Sequence, residues 1–227
     1  RLKSADFLYE TGPGPETAYT FKHALTHEVA YGSFPDDTRR ALHAKIAEAI
    51  ERRYADRLAE HVERLAHHAF RAEAWGKAFA YLRQAGAKAA LRSSHREAVA
   101  CFEQALVALE HLPESRETLE HSIDLRFDLK TSLTPLGEHE RILGYLRVAA
   151  TLAKALGDQS RLGRVAAYQS DYFRLIGDAQ RAIESGERAL VIAKERRDSH
   201  LEVMANTYLG LVHFNQGDYR RAAKFLE

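Results

Sequence analysis

The sequence predicts an all-α protein, a solenoid of antiparallel helix pairs preceded by a short β-hairpin. The first observation is a repeat, because Gly137, Gly177 and Gly217 are evenly spaced and open the similar phrases GEHERIL, GDAQRAI and GDYRRAA. The second is that apolar residues precede these glycines at the i, i+4 spacing of a buried helix face. The third is that the segment before His23 follows a different, strand-like pattern.

Each repeat is interpreted as a helical hairpin that has one of these glycines in the turn between its two helices. Glycine ends the first helix because it adopts positive φ without strain. The buried stripe of that helix includes Leu209 and His213. A small residue shortly after the glycine, Ala182 or Ala222, is expected where the two helices cross closely. Earlier segments recur at half the glycine interval, so we expect about ten helices from Ala24 onward.

The N-terminal segment predicts a β-hairpin over about residues 7–22. FLYET and TAYTFKH flank GPGPE and are rich in aromatic and β-branched residues, a pattern typical of two strands joined by a turn. Two helices should follow, and acidic residues at the start of the second favour its N-terminus. The predicted apolar stripe of that second helix is Leu42, Ile46, Ala49 and Ile50.

The composition is typical of a cytoplasmic protein. Thirty-three basic and 32 acidic side chains leave a net charge of +1, which disfavours nucleic acids and anionic membranes as partners. With a single cysteine, no internal disulfide is expected and a reducing compartment is favoured. No apolar run approaches the length of a membrane-spanning helix.

The sequence carries no recognisable catalytic motif. It has no Gly-x-x-x-x-Gly-Lys-Ser/Thr phosphate loop, no nucleophile elbow and no kinase signature. The chain starts at Arg1 instead of methionine and stops at Glu227 within helical sequence, so we expect a piece of a longer protein. We predict that these residues have no catalytic activity and hold no cofactor of their own.

Twelve histidines raise the question of a metal site. His23 and His27 share one helix face, but the neighbouring glutamate lies outside the pair, whereas zincins place it between the ligands. His61, His67 and His68 are interpreted as the polar edge of an amphipathic helix. We therefore predict no metal site and keep a histidine-based metallohydrolase as the remote alternative function.

The segment NTYLGLVHFNQGDYRRAAKFL resembles the tetratricopeptide repeat. It carries the Leu-Gly pair at Leu209 and Gly210, the turn glycine Gly217, the small Ala222 and the large Leu226. The period is longer than the usual one of about 34 residues, and this resembles the long-helix variety found in bacterial signalling ATPases. The resemblance assigns residues 56–227 to tetratricopeptide-like repeats that are cut at their C-terminal end.

Tetratricopeptide geometry implies a concave face lined by the first helices of the pairs. A protein or peptide partner is expected on that face, and contact with a further repeat is the alternative. The resemblance implies that the exposed positions of this groove are Arg164, Ala167, Asp171, Arg174, Met204, Thr207, Leu211 and Phe214.

The phrases YTFKHALTHEVAYGSF and RRALHAKIAEAIE resemble the end of the winged-helix module in STAND ATPases, an AAA-related class of signalling proteins. They are especially similar to members fused to adenylate or guanylate cyclase domains. In many bacterial members this module leads directly into tetratricopeptide-like helices. The resemblance implies that residues 1–55 are the C-terminal part of a winged helix. It also implies that His23 contacts a phosphate of the ATP or ADP bound by the parent protein.

These features together predict the non-catalytic sensor or scaffold arm of a cytoplasmic signal-transduction ATPase. The arm is expected to bind a protein or effector on its repeats and to contact the nucleotide-binding module of the same chain. The alternative parent is an ATP-dependent transcription activator, whose DNA-binding domain would lie beyond residue 227.

Overall fold

The computed structural model describes residues 8–11 and 18–226, which form two compact units. The first unit ends at Ala74 and the second begins at Trp75. The sequence suggested that the repeats begin at residue 56. In the structure, the helix Val62–Arg71 packs on the helix Asp36–Arg53 and so belongs to the first unit. No described helix is both long enough and apolar enough to cross a membrane.

The first unit contains the β-hairpin that the sequence predicts. Strands β1 (Leu8–Thr11) and β2 (Ala18–Phe21) pair antiparallel, with Leu8 opposite Phe21. The GPGPE turn lies outside the described residues. The helices that follow are α1 (Ala24–Gly32), α2 (Asp36–Arg53) and α3 (Val62–Arg71), with a 3-10 helix (Ala55–His61) between α2 and α3.

Helix α2 buries a different face from the one predicted. Its buried residues are His43, Ala47 and Ile50, and α3 packs on α2. Leu42 and Ile46 are 42% and 39% exposed, so the predicted stripe is wrong except at Ile50. The reason is that α2 carries apolar residues on two sides, and only tertiary packing decides which side is covered.

The second unit is a stack of helices joined by short turns. Its described helices bring the total to eleven α-helices, close to the number expected from the repeat. The helices of the second unit are α4 (Trp75–Leu91), α5 (His95–Glu110), α6 (Arg116–Leu133), α7 (His139–Ala155), α8 (Gln159–Leu175), α9 (Ala179–Arg196), α10 (Ser199–Asn215) and α11 (Tyr219–Leu226). A 3-10 helix (Thr134–Leu136) follows α6.

These helices form the antiparallel pairs that the sequence predicts. Helix α4 packs with α5, α6 with α7, α8 with α9, and α10 with α11. Each helix also packs on the next helix of the chain, and α8 packs directly on α10. The fold class predicted from the glycine spacing is therefore confirmed for this unit.

A residue with left-handed backbone conformation lies in most of the turns. Gly137, Gly177 and Gly217 have φ values of 70°, 81° and 78°, and each lies in the turn within a helix pair, as predicted. The N–H of Gly177 donates to the carbonyl of Arg174 at 3.2 Å, and the next N–H donates to the carbonyl of Phe173 at 2.8 Å. This pair of hydrogen bonds is a Schellman cap, which satisfies carbonyl groups at the end of α8.

An aspartate follows the left-handed residue in the last four turns and caps the next helix. Its carboxylate accepts a hydrogen bond from a backbone N–H in the first helical turn, which satisfies one of the donors that lack a partner there. The same turn also occurs between pairs, at Gly157 and Arg197, with φ values of 64° and 53°. The capping residues are Asp158, Asp178, Asp198 and Asp218, with N···O distances of 2.9, 3.0, 3.0 and 3.0 Å.

Small residues allow the helices of the second unit to approach closely. A Cβ added at Gly186 of α9 would lie 2.6 Å from Leu209 Cδ2 of α10 and 3.0 Å from Ser170 Oγ of α8. Leu209 is fully buried, so it has little room to move aside. Ala182 and Ala222, which the sequence assigns to helix crossings, are also buried.

Replacing Gly186 by alanine should therefore lower the free energy of unfolding by about 1–2 kcal/mol, because overpacking outweighs the gain in helix propensity. Gly144→Ala is the matched control, since Gly144 is a residue of α7 with no atom within 4 Å of an added Cβ. That change should stabilise the chain by about 0.5–1 kcal/mol. Urea denaturation of both variants measures the difference, and equal effects would contradict close packing at Gly186.

Candidate binding face on the first helices

The first helices of the last three pairs, α6, α8 and α10, contact one another in sequence through aromatic rings. The ring centres of Phe127 and Tyr168 are 5.2 Å apart, and those of Tyr168 and Tyr208 are 6.4 Å apart. Tyr168 and Tyr208 occupy equivalent positions of successive repeats. We call the surface of α6, α8 and α10 around these three rings the first-helix face.

A buried ion pair joins α6 to α8 at this face. Lys130 Nζ donates to Asp171 Oδ2 at 2.6 Å, and both side chains are 6% exposed. The ammonium also lies 4.8 Å from the ring centre of Tyr168 and 5.5 Å from that of Tyr208, where it is attracted by the π-electrons. Arg174 donates to Asp171 Oδ1 from Nε and Nη2, at 3.2 and 2.6 Å. The carboxylate of Asp171 is thus shared between two cations.

The titratable neighbours of this ion pair have shifted pKa values. Burial raises the pKa of the Tyr208 hydroxyl, and the nearby negative charge of Asp171 adds to the shift. Burial also raises the pKa of Asp128, a shift that Arg83 and Arg164 oppose. Asp128 makes no hydrogen bond or ion pair with any residue that the structure describes. Its carboxylate therefore retains the capacity to accept hydrogen bonds from a partner.

Arg164 is a second charged residue of this face, and its side chain is partly exposed. Its guanidinium lies 4.5 Å from the ring centre of Phe127, and Nη1 is 3.8 Å from Asp124 Oδ1. Its Nε is buried and has no hydrogen-bond partner within the described part of the chain. Arg161, by contrast, is fully engaged in bridging Asp124 and Asp158. The first-helix face thus has largely buried aromatic rings beneath two partly exposed side chains of opposite charge, Arg164 and Asp128.

The predicted groove residues differ in how far they are exposed to solvent. Ala167 and Asp171 have exposures of 0% and 4%, so the expectation that they are exposed is wrong. Asp171 is buried because Lys130 and Arg174 neutralise it, and residue spacing alone does not reveal such a pairing. Thr207 and Phe214 are exposed, and the partly exposed positions are Arg164, Arg174, Met204 and Leu211.

Sequence reasoning missed Lys130 and Asp128 as members of this face. A signal was present for Lys130, because it lies between Leu129 and Leu133, both fully buried. A cation inside an apolar helix stripe needs an internal anion, since an unpaired buried charge is strongly unfavourable. Which anion supplies that charge depends on the register of α6 against α8, which the sequence does not contain.

The histidines that the sequence analysis singled out lie in the first unit, whereas the predicted groove residues all lie in the second unit. His23 is exposed, directly precedes α1, and makes no capping hydrogen bond with its side chain. His27 lies within α1, and its side chain is outside the described part of the structure. His67 and His68, which the sequence analysis assigned to the polar edge of a helix, converge with His43 between α2 and α3. Their grouping was missed because it joins two helices.

Lys130→Met should lower the free energy of unfolding by about 3 kcal/mol, because it leaves Asp171 buried with one of its two cations removed. Lys130→Met combined with Asp171→Asn should lose less, since the uncompensated charge is then gone. Arg221→Met is the control, because it breaks an exposed ion pair with Asp218 and should change stability by less than about 1 kcal/mol. Equal losses in Lys130→Met and Arg221→Met, measured by urea denaturation, would contradict a structural role for the pair.

Comparison with solved structures identifies proteins of the same architecture. The chain is similar to BtubC (BKLC) from P. vanneervenii, with a TM-score of 0.57 and 18% identity over 86% of this chain and 89% of that one. It is similar to MamA from Desulfovibrio magneticus RS-1, with a TM-score of 0.52 and 16% identity over 82% of this chain and 90% of that one.

A third similar structure is a putative kinesin light chain from Podosopora anserina with nearly identical TPR-like repeats. Its TM-score is 0.53, with 12% identity over 85% of this chain and 93% of that one. No protein-family model and no curated protein sequence matches the chain significantly. At these identities the similarity concerns the fold, which is that of a tetratricopeptide-like α-solenoid.

Proposed function

We propose that this chain is the non-catalytic sensor and scaffold arm of a cytoplasmic signal-transduction ATPase of the STAND class, of the type linked to nucleotide cyclase domains. The first-helix face binds a protein or peptide partner. The first unit transmits that binding to the nucleotide-binding module, which holds ATP or ADP. The observation that carries the binding role is the exposure of Thr207 and Phe214 on α10, together with the partly exposed charged side chains of Arg164 and Asp128.

The chemistry of the face favours a partner with both apolar and charged groups. Phe214 is 54% exposed and Leu211 is partly exposed on α10, which offers apolar surface to a partner. Arg164 and Asp128 are partly exposed, so the guanidinium and the carboxylate are within reach of a partner. A segment that carries an apolar residue beside a carboxylate or an amide would satisfy these groups. Aromatic and arginine side chains are also the residue types that contribute most to binding at protein interfaces.

The exposed apolar surface of the first unit supports the proposal that this unit contacts another module. Leu25 and Val29 of α1 are 70% and 66% exposed, and Phe34 is 45% exposed. Leu42 and Ile46 of α2 are also exposed, away from the residues buried by α3. Large apolar side chains that are exposed in such numbers on two successive helices mark an interaction surface. In the proposed parent, this surface packs on the nucleotide-binding module.

The role of His23 in this proposal rests on its position and on the resemblance of the surrounding sequence. It lies where β2 ends and α1 begins, and its side chain is exposed. A side chain at such a junction projects toward a module packed on the first unit. In the STAND class the matching histidine contacts a nucleotide phosphate, and the same contact is proposed here between His23 and ADP.

The binding face is tested by placing a photo-crosslinking amino acid at Phe214 in the parent protein expressed in its native cells. Val191 of α9 is the matched control, because it is 55% exposed against 54% for Phe214 and lies on a second helix. A discrete crosslinked partner is expected from position 214 and not from position 191. Arg164→Glu should reduce its yield about tenfold, the loss expected for one charged interfacial contact. Equal crosslinking from both positions would contradict the proposed face.

The nucleotide contact is tested by measuring ADP affinity in the parent carrying His23→Ala. Loss of a hydrogen bond to a charged phosphate, about 1.5–3 kcal/mol, should weaken ADP binding roughly 10- to 100-fold and raise basal signalling. His27→Ala is the control and should retain ADP affinity. If His23→Ala binds ADP like the wild type, or if His27→Ala is the sensitive variant, the nucleotide contact is wrong while the binding face is unaffected.

A further inference from the structure

Three histidine side chains from two helices of the first unit converge on one point. His43 lies on α2, and His67 and His68 lie on α3. Each offers a ring nitrogen, and these three atoms all lie within 4.8 Å of one another. His43 is buried, His68 is half-buried and His67 is exposed, so the group opens toward solvent on one side. We call His43, His67 and His68 the histidine cluster.

The distances within the histidine cluster fit the coordination of a small divalent cation. The Nδ1 atoms of His43 and His68 are 2.8 Å apart. Two nitrogens on a tetrahedral zinc ion, each at ~2.0–2.1 Å, are roughly 3.3 Å apart. The pair would open by about half an ångström around an ion of this kind. His67 is exposed, so its ring has room to rotate toward the ion.

A second contact orients the buried member of the cluster. The Tyr31 hydroxyl lies 2.9 Å from His43 Nε2. When Nε2 carries the proton and donates to that hydroxyl, the lone pair of His43 is on Nδ1 and faces His68. Histidines that bind metals generally donate their other ring N–H to such a partner, which sets the tautomer and the ring orientation.

We propose that His43, His67 and His68 form a binding site for one Zn²⁺ ion, with water in the fourth coordination position. Three imidazole ligands with one open position are an arrangement that zinc accepts. Bound there, the ion joins α2 to α3 and stabilises the packing of the first unit. This site is independent of the nucleotide contact and of the first-helix face, since it uses none of their residues.

The charges around the histidine cluster limit its affinity. The guanidinium groups of Arg71 and Arg64 lie close enough to the cluster to produce positive potential there. The same potential opposes a divalent cation. We therefore expect binding that is weaker than in closed sites with four protein ligands, and readily reversed by a chelator.

The test is a titration of the metal-free chain with Zn²⁺ by calorimetry, with Co²⁺ as a spectroscopic probe. One Zn²⁺ per monomer is expected, together with a Tm that rises with zinc concentration. His67→Ala should weaken zinc binding at least about tenfold and remove the visible absorption of tetrahedral Co²⁺. Because His67 is exposed, this variant should fold like the wild type, as circular dichroism without metal would verify.

Two further variants test whether Tyr31 orients His43 and whether zinc binding is specific to the histidine cluster. Tyr31→Phe should weaken zinc binding about tenfold through the orientation of His43. His61→Ala should bind zinc like the wild type, because His61 packs on Tyr54 with ring centres 3.8 Å apart and is not part of the cluster. Absence of saturable zinc binding, unchanged affinity in His67→Ala, equal loss in His61→Ala, or one ion shared by two chains would each overturn the proposal.

Discussion

A left-handed residue followed by an aspartate cap, repeated at every helix end from Gly157 to Gly217, is the constraint on which the C-terminal half of the second unit depends. It ends each helix and starts the next within a short turn, so α7 to α10 all have 17 or 18 residues. Such helices are about 26 Å long and match one another end to end. Equal lengths let each helix pack along its neighbour over its full extent. The turn keeps its geometry even where glycine is absent, because Arg197 adopts it despite a cost of roughly 1 kcal/mol.

The equal spacing of the turns has a direct consequence for the first-helix face. Residues one repeat apart occupy equivalent positions on successive first helices, so Tyr168 and Tyr208 meet as neighbouring rings. Close to these rings lies the ammonium of Lys130, held by Asp171 and by the two aromatic faces. A polar pair of this kind contributes specificity of register, since any shift of α8 along α6 would leave the buried ammonium of Lys130 without its anion. The first-helix face therefore has buried aromatic rings and a buried ion pair at its centre, and its charged residues Arg164 and Asp128 are partly exposed.

The first unit leaves large apolar residues exposed on two successive helices. Helix α2 packs one side on α3, yet it and α1 leave leucine, isoleucine and valine side chains exposed. Exposed apolar surface of this kind lowers the solubility of a small helical unit, and a neighbouring module that packs on it would cover that surface. The same unit also brings three histidines together where α2 faces α3. The proposed coupling role uses the exposed side, and the proposed zinc site strengthens the buried one.

The amino-acid sequence by itself determined the helical hairpins, their regular period, the turn glycines and the N-terminal β-hairpin. These features depend on residues that are close in the chain: a glycine with positive φ, an aspartate shortly before the N–H it caps, and the spacing of apolar positions. Only the tertiary structure decided that Asp171 is buried beside Lys130 and that α2 turns His43 inward instead of Leu42. The same holds for the convergence of His43 with His67 and His68. Each of these depends on the register and rotation of one helix against another, and residues 25 to 41 positions apart leave no local pattern that specifies it.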